Sequence, residues 1–263
     1  MVVGGQTRAL ITGASRGIGR ALALELDSRG AALGLIARGR EGLEALAADL
    51  SGEPQLFPAD VSRDEEVTAA VAEFTANGGA PDLLVANAGL AHYGPFADMP
   101  AELLEEMVRV NVLGSVLTVK AGLDAMLDRG RGHIVVVSSG AALRSFPWAA
   151  VYGATKAAQR MFAEALRHEL ADSGVSVTTV FPGEIVSSLH DHEKATMPAW
   201  YHGDSQAAPA SSLAAAVLAG IEADRRSVAY PREVRLLALN AVAPGAVDRL
   251  LRRLRGPSAA PRR

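Results

Sequence analysis

Short apolar runs, each closed by a glycine or a small polar residue and followed by helical spacing, recur along the chain from Arg8 to Gly183. Those at Arg8 to Thr12, Ala31 to Ala37, Gln55 to Ala59, Pro81 to Ala86, Gly132 to Val137 and Val175 to Phe181 read as strands, with a seventh at Arg226 to Tyr230. Between them lie helical patterns through Ile18, Leu22 and Leu26, then over Glu41 to Leu50, Asp64 to Ala76, Ala101 to Leu127, Tyr152 to Leu170 and Ser211 to Ala223. Strands alternating with helices at this interval are joined by right-handed crossovers and pair in parallel. The chain therefore reads as α/β, a doubly wound parallel sheet of the Rossmann type flanked by helices. In such a sheet the ligand crevice lies outside the carboxyl ends of the strands. Gly13, Asp60, Asn87 and Ser139 all stand at such ends, so they point to a single site.

The first strand turns through Gly13-Ala14-Ser15-Arg16-Gly17-Ile18-Gly19 into a helix. Strand, glycine turn and helix together let backbone amides meet a pyrophosphate where the helix dipole favours negative charge. The spacing is G-x-x-x-G-x-G rather than G-x-G-x-x-G, and the alternative is an ordinary tight connection. After the second strand, where an acid would bind the ribose hydroxyls of NAD, the chain has Ala37 and Arg38; the nearest acid, Glu41, already lies in the next helix. Arg16 and Arg38 can pair with a 2′-phosphate, which favours NADP(H) over NAD(H), the alternative being two surface charges.

Tyr152 and Lys156 lie four residues apart in a helical pattern and so share a face. A phenol with a pKa of about 10 is a poor acid or base at neutral pH. A neighbouring cation favours the phenolate and makes it usable. The plain alternative is an amphipathic core tyrosine beside a solvated charge. Asn111 is unfavourable inside a helix, so it either caps a local kink or offers a group to a site.

Composition narrows the partners. A net charge of -3 gives no basic field, so nucleic acid is not an expected partner. With no cysteine, disulfides and thiolate sites are excluded. The N-terminus lacks the pattern of a signal peptide, and no uninterrupted apolar stretch of about 18 residues is found. A soluble, cytoplasmic protein is expected. His190 and His192 lack a third placed ligand, and no metal is expected.

TGASRGIG at Thr12 to Gly19, Asp60-Val61, NAG at Asn87 to Gly89, Asn111, Ser138-Ser139, YxxxK at Tyr152 to Lys156 and Pro182-Gly183 together resemble the short-chain dehydrogenase/reductase family. The resemblance runs in order from about Thr7 to Gly183. It implies a seven-stranded sheet in the order 3-2-1-4-5-6-7, a single dinucleotide-binding catalytic domain over residues 1–263, and NAD(P) as cofactor. The implied catalytic residues are Asn111, Ser139, Tyr152 and Lys156. Tyr152 hands a proton to the carbonyl oxygen and Ser139 donates to the same oxygen. Lys156 lowers the tyrosine pKa and holds the nicotinamide ribose, while Asn111 positions a water that refills the proton relay. Ser138 is the runner-up serine and supports the strand end. The implied cofactor-binding set is Gly13, Ser15, Arg16, Gly17, Ile18, Gly19, Arg38, Asp60, Val61, Asn87, Ala88, Gly89, Tyr152, Lys156, Pro182, Gly183, Ile185 and Ser187, the last where a threonine is common.

Residues 184–210, with Trp200, Tyr201 and His202, read as a substrate lid, and 231–263 as a C-terminal helical extension. The arginines of that extension, Arg249, Arg252, Arg253 and Arg255, face water over the cleft or a neighbouring subunit, or alternatively lie on an anionic membrane. The expected activity is an NADPH-dependent interconversion of a carbonyl and a secondary alcohol on a fairly apolar small molecule. A non-catalytic NADP-binding regulator is the alternative, and an epimerase or dehydratase of the extended relatives finds little room after Gly183. The family also implies a homo-oligomer, dimer or tetramer, through the helices at Ala101 to Leu127 and Tyr152 to Leu170.

Overall fold

β1 (Arg8–Thr12) is the strand from which the sheet grows in both directions. It pairs in parallel with β2 (Ala32–Ala37) on one side and β4 (Leu83–Ala86) on the other. Beyond β2 lies β3 (Gln55–Pro58), and beyond β4 follow β5 (Gly132–Val137), β6 (Val175–Pro182) and β7 (Ser227–Tyr230). The seven-stranded order is β3-β2-β1-β4-β5-β6-β7, as the resemblance implies. The order of strand addition reverses between β1 and β4, and a crevice opens at their carboxyl ends. The structure, a computed structural model, describes residues 1–186 and 207–255, the last five as backbone only.

Side chains alternate across the sheet, so each strand feeds two cores. On one face Ile11, Leu35 and Val85 pack against α1 (Gly17–Asp27), α2 (Arg40–Ala47) and α7 (Ala210–Glu222) through Leu22, Leu26, Leu43, Leu46, Val217 and Ile221. On the other face Leu10, Ile36, Leu84 and Val136 meet α3 (Asp64–Ala76), α5 (Gly114–Arg129) and α6 (Ala150–Glu169) through Val67, Phe74, Val119, Met126, Ala163 and Leu166. Truncating any of these leucines to alanine costs about 2–5 kcal/mol, because the cavity closes only in part.

The helix expected over Ala101 to Leu127 is a rod in three parts. α4 (Ala101–Met107) and α5 are joined by a π-helical segment, Val108–Leu113. Asn111 sits inside that segment, where the α-helical pattern is interrupted. By length and composition Ala101–Arg129 is long and apolar enough to cross a bilayer. Here its Val119, Gly122 and Met126 are buried in the fold, and its Ser115 and Thr118 hydroxyls bond back to the Asn111 and Gly114 carbonyls. After β7 a 3₁₀ run, Arg232–Ala241, leads to α8 (Pro244–Arg255), so the expected helical extension is two elements.

At the end of the sheet remote from the crevice, His133 is buried at the start of β5. The Thr178 hydroxyl donates to the Arg225 carbonyl at 2.6 Å and therefore accepts from His133 Nε2 at 2.8 Å, an assignment that fixes the tautomer. Burial pulls the His133 pKa down to about 4.

Candidate active site

A cleft of about 640 Å³ runs along the carboxyl ends of the strands. Gly13, Ser15, Arg16, Gly17, Ile18, Arg38, Asp60, Val61, Asn87, Ala88, Gly89, Ser139, Tyr152, Lys156, Pro182, Gly183 and Ile185 all line it. Ser187 lies outside the described residues, as do His190, His192, Trp200, Tyr201 and His202 and the Arg252, Arg253 and Arg255 side chains.

Two expected residues are elsewhere. Gly19 is buried behind the glycine turn, where a Cβ would stand 2.2 Å from the Gly13 carbonyl oxygen. Its lack of a side chain serves the close approach of α1 to β1 rather than contact with a ligand. Asn111 is fully buried and does not line the cleft. Its Oδ1 accepts from the Leu90 amide at 2.8 Å, and its Nδ2 donates to the Leu90 carbonyl at 2.9 Å and to Thr155 Oγ1 at 3.0 Å. The side chain so committed is a clamp on the backbone after β4.

The glycine turn is tied to β4 by similar means. Thr12 Oγ1 accepts from the amides of Asn87 and Ala88 at 3.1 and 3.2 Å, and Asn87 Nδ2 donates to the Thr12 and Gly13 carbonyls. Gly13 and Gly17 take positive φ of 65° and 55°, a region open to glycine. Arg16 at the N-cap of α1 gives no side-chain cap, and the first turn carries no acid. Orphan amides at a helix start beside a cleft fit an anion. The residues present therefore fit a dinucleotide pyrophosphate. At the end of the cleft beside β3, Asp60 Oδ1 accepts from the Ser62 amide and hydroxyl. Arg38 is 63% exposed, with Nη1 at 3.9 Å from Glu106 Oε1, a loose pair worth little in itself.

At the other end Ser139, Tyr152 and Lys156 meet. Ser138 Oγ donates to the Lys156 carbonyl at 2.7 Å and pins α6 to the end of β5. Ser139 Oγ accepts from the Ala141 amide at 3.1 Å. Lys156 Nζ donates to the Val137 carbonyl at 3.2 Å and stands 5.8 Å from the centre of the Tyr152 ring. Burial raises the phenol above its usual pKa, with a hydrogen bond to Ser139 opposing it, and burial lowers Lys156 to about 7. The expectation that the amine acidifies the phenol is thus not met by the protein's own groups. In a dry site both side chains favour their neutral forms, and the amine loses much of its charge near neutrality.

The sequence reading missed several residues. Thr155 Oγ1 accepts from Asn111 and donates to the Tyr152 carbonyl at 2.8 Å. Leu90, Tyr93, Phe146 and Leu237 add apolar wall, with the Tyr93 ring 5.6 Å from that of Tyr152 and 5.8 Å from that of Phe146. Arg144 also lines the cleft. Its signal was in the sequence, a lone cation in the apolar stretch between Ser139 and Tyr152. Among the described residues no group of three or more His, Cys, Asp or Glu is placed to hold a metal ion.

A family model described as short chain dehydrogenase matches residues 7–198. An uncharacterized oxidoreductase of Myxococcus xanthus is 37% identical over 195 residues, 72% of this chain and 76% of that protein. The solved structure of an alcohol dehydrogenase from the archaeon Thermococcus sibiricus, complexed with 5-hydroxy-NADP, superposes with a TM-score of 0.76 at 30% identity, over 85% of this chain and 95% of that one. ElxO with NADP bound superposes at 0.73 and 25% identity, over 80% and 89%.

Proposed function

The chain belongs to the short-chain dehydrogenase family of NAD(P)-dependent oxidoreductases, and from that premise we propose that it interconverts a carbonyl and a secondary alcohol with NADP(H) in preference to NAD(H). The observation that carries this reading is the meeting of Ser139, Tyr152 and Lys156 at one end of a cleft whose other end fits a dinucleotide. The nicotinamide, when bound, supplies or takes the hydride. Tyr152 holds the proton for the carbonyl oxygen; burial raises its pKa and so weakens the phenol as an acid, and the hydrogen bond to Ser139 opposes that rise. Ser139 Oγ accepts from the Ala141 amide, and its single hydrogen, directed at Tyr152 in this structure, is the one a substrate oxygen would take. Lys156 is the residue to hold the nicotinamide ribose, Arg16 with the first turn of α1 the phosphates, and Arg38 the 2′-phosphate.

Leu90, Tyr93, Phe146 and Leu237 favour a substrate with an apolar body. A single catalytic unit over residues 1–263, a homo-oligomer and a cytoplasmic location belong to the same proposal.

Tyr152→Phe tests the chemistry. It should abolish turnover while sparing NADPH binding, and retained turnover refutes the assigned acid. Binding of NADPH by the wild type without consumption against any ketone or aldehyde would favour a regulator. Arg38→Ala tests the cofactor choice. It should raise the KM for NADPH by about tenfold, as loss of a charge-assisted bond implies, and leave that for NADH nearly unchanged. Equal effects on both would refute the 2′-phosphate role.

A further inference from the structure

We propose that the substrate carries an acidic group, a carboxylate or similar oxyanion on its apolar body, and that Arg144 selects it. The inference rests on the carbonyl-reducing reading above and narrows its substrate class.

Arg144 lines the same cleft as Ser139 and Tyr152. Its side chain is only 15% exposed, and a guanidinium cannot shed its charge. A cation in so dry a place needs acceptors on all its donors, or its burial is costly. The protein supplies too few. Nη2 donates to Asp248 Oδ1 at 2.5 Å, and Nη1 reaches the Ser145 carbonyl only at 3.4 Å. Nε is buried and has no hydrogen-bond partner among the described residues. The guanidinium thus has more donors than the described residues accept, and where Arg144 lines the cleft a substrate oxyanion can supply a further acceptor.

Asp248 does not close the account from the protein side. It belongs to α8, outside the sheet, and at 44% exposure it is far wetter than its partner. A wall of Leu90, Tyr93, Phe146 and Leu237 would suit a wholly apolar ketone better without an under-bonded cation among them. An oxyanion on the substrate pairs with the guanidinium where it lines the cleft, and the carboxylate of Asp248 opposes it by like charge. The competing explanation is that the pair only fastens α8 to the loop after Ser139.

The test uses NADPH-loaded full-length protein with meta- and para-acetylbenzoate and their methyl esters, which keep the ketone and remove the charge. The wild type should show a higher kcat/KM for an acid than for its ester. Arg144→Leu should lower the acid-to-ester ratio about ten- to hundredfold, the range for a bond to a charged group. Arg144→Lys should recover part of it, since it restores the charge without the fork. Asp248→Asn should raise the ratio. An ester used as well as the acid by the wild type, or a ratio unmoved by Arg144→Leu, overturns the proposal. Should Arg144→Leu fail to fold by thermal melting, Asp248→Asn decides, and an unmoved ratio there overturns it too. A wild type that binds NADPH but turns over neither ketone defeats the reductase reading alone. Calorimetric affinity of the NADP-loaded protein for acid against ester then decides this one.

Discussion

Replacing Thr155 by valine keeps the branched shape of a buried side chain and removes one hydroxyl. That hydroxyl joins three parts of the molecule, α6, the π-helical segment and the backbone after β4. The Tyr152 carbonyl loses little, because α6 runs on through it and supplies the ordinary helical donor. Asn111 loses more. One Nδ2 hydrogen still reaches the Leu90 carbonyl, but the other is left buried without an acceptor, at a cost of about 1–3 kcal/mol. The expected loss is therefore about 1–3 kcal/mol. For a chain of this length that lowers Tm by about 2–12 °C. Urea unfolding should show a lower midpoint at unchanged slope. Because Gly89 adjoins Lys156 Nζ and the clamp holds its neighbour Leu90, kcat should fall more than KM rises. Thr155→Ser restores the hydroxyl and should restore both. A valine variant within about 0.5 kcal/mol of wild type, or a serine variant no better than the valine, would refute the clamp.

Two further outcomes follow from buried titratable groups. Lys156 is pulled down to about 7 in the fold, so between pH 7 and 10 the unfolded chain holds a proton that the folded one has released. Stability should therefore rise with pH across that window by up to about 1.4 kcal/mol per unit. Lys156→Met should be more stable near pH 7 and lose that slope, and parallel stability curves for the two proteins would contradict the assignment. At the other end of the sheet His133 is held down to about 4, so stability should fall as pH drops from 6.5 toward 4, where the unfolded histidine protonates first. His133→Gln should flatten that fall, as read by urea midpoints, and an undiminished slope would place the acid sensitivity elsewhere.

The strands, the convergence of their ends on one site and most of the cleft lining were legible because they depend on short-range signals, whereas the sheet order came with the family resemblance. Apolar runs ended by Gly13, Asp60, Asn87 and Ser139 mark strand ends, and strand ends in this architecture mark the crevice. What escaped depends on depth and on distant pairing. Gly19 and Gly13 look alike in a motif, yet one faces the cleft and the other a carbonyl oxygen. The π-helical segment is a single short stretch between two α-helices, too brief for the spacing of Ala101 to Leu127 to mark it. The interplay of Tyr152 and Lys156 was read as attraction between charge and phenol, but how dry the site is cannot be judged from their spacing, and burial decides the direction. Arg144 finds Asp248 from 104 positions away, a pairing with no local trace.

A helix that carries a π-turn is out of phase with itself, since the turn holds more residues than an α-turn. Upstream of Val108–Leu113 the rod is indexed to the loops around the cleft, and downstream it is indexed to the strands. The slip between the two lets each half choose its own azimuth. The cleft rim can thus be retuned in α4 without turning Val119 and Met126 away from the sheet on which they rest.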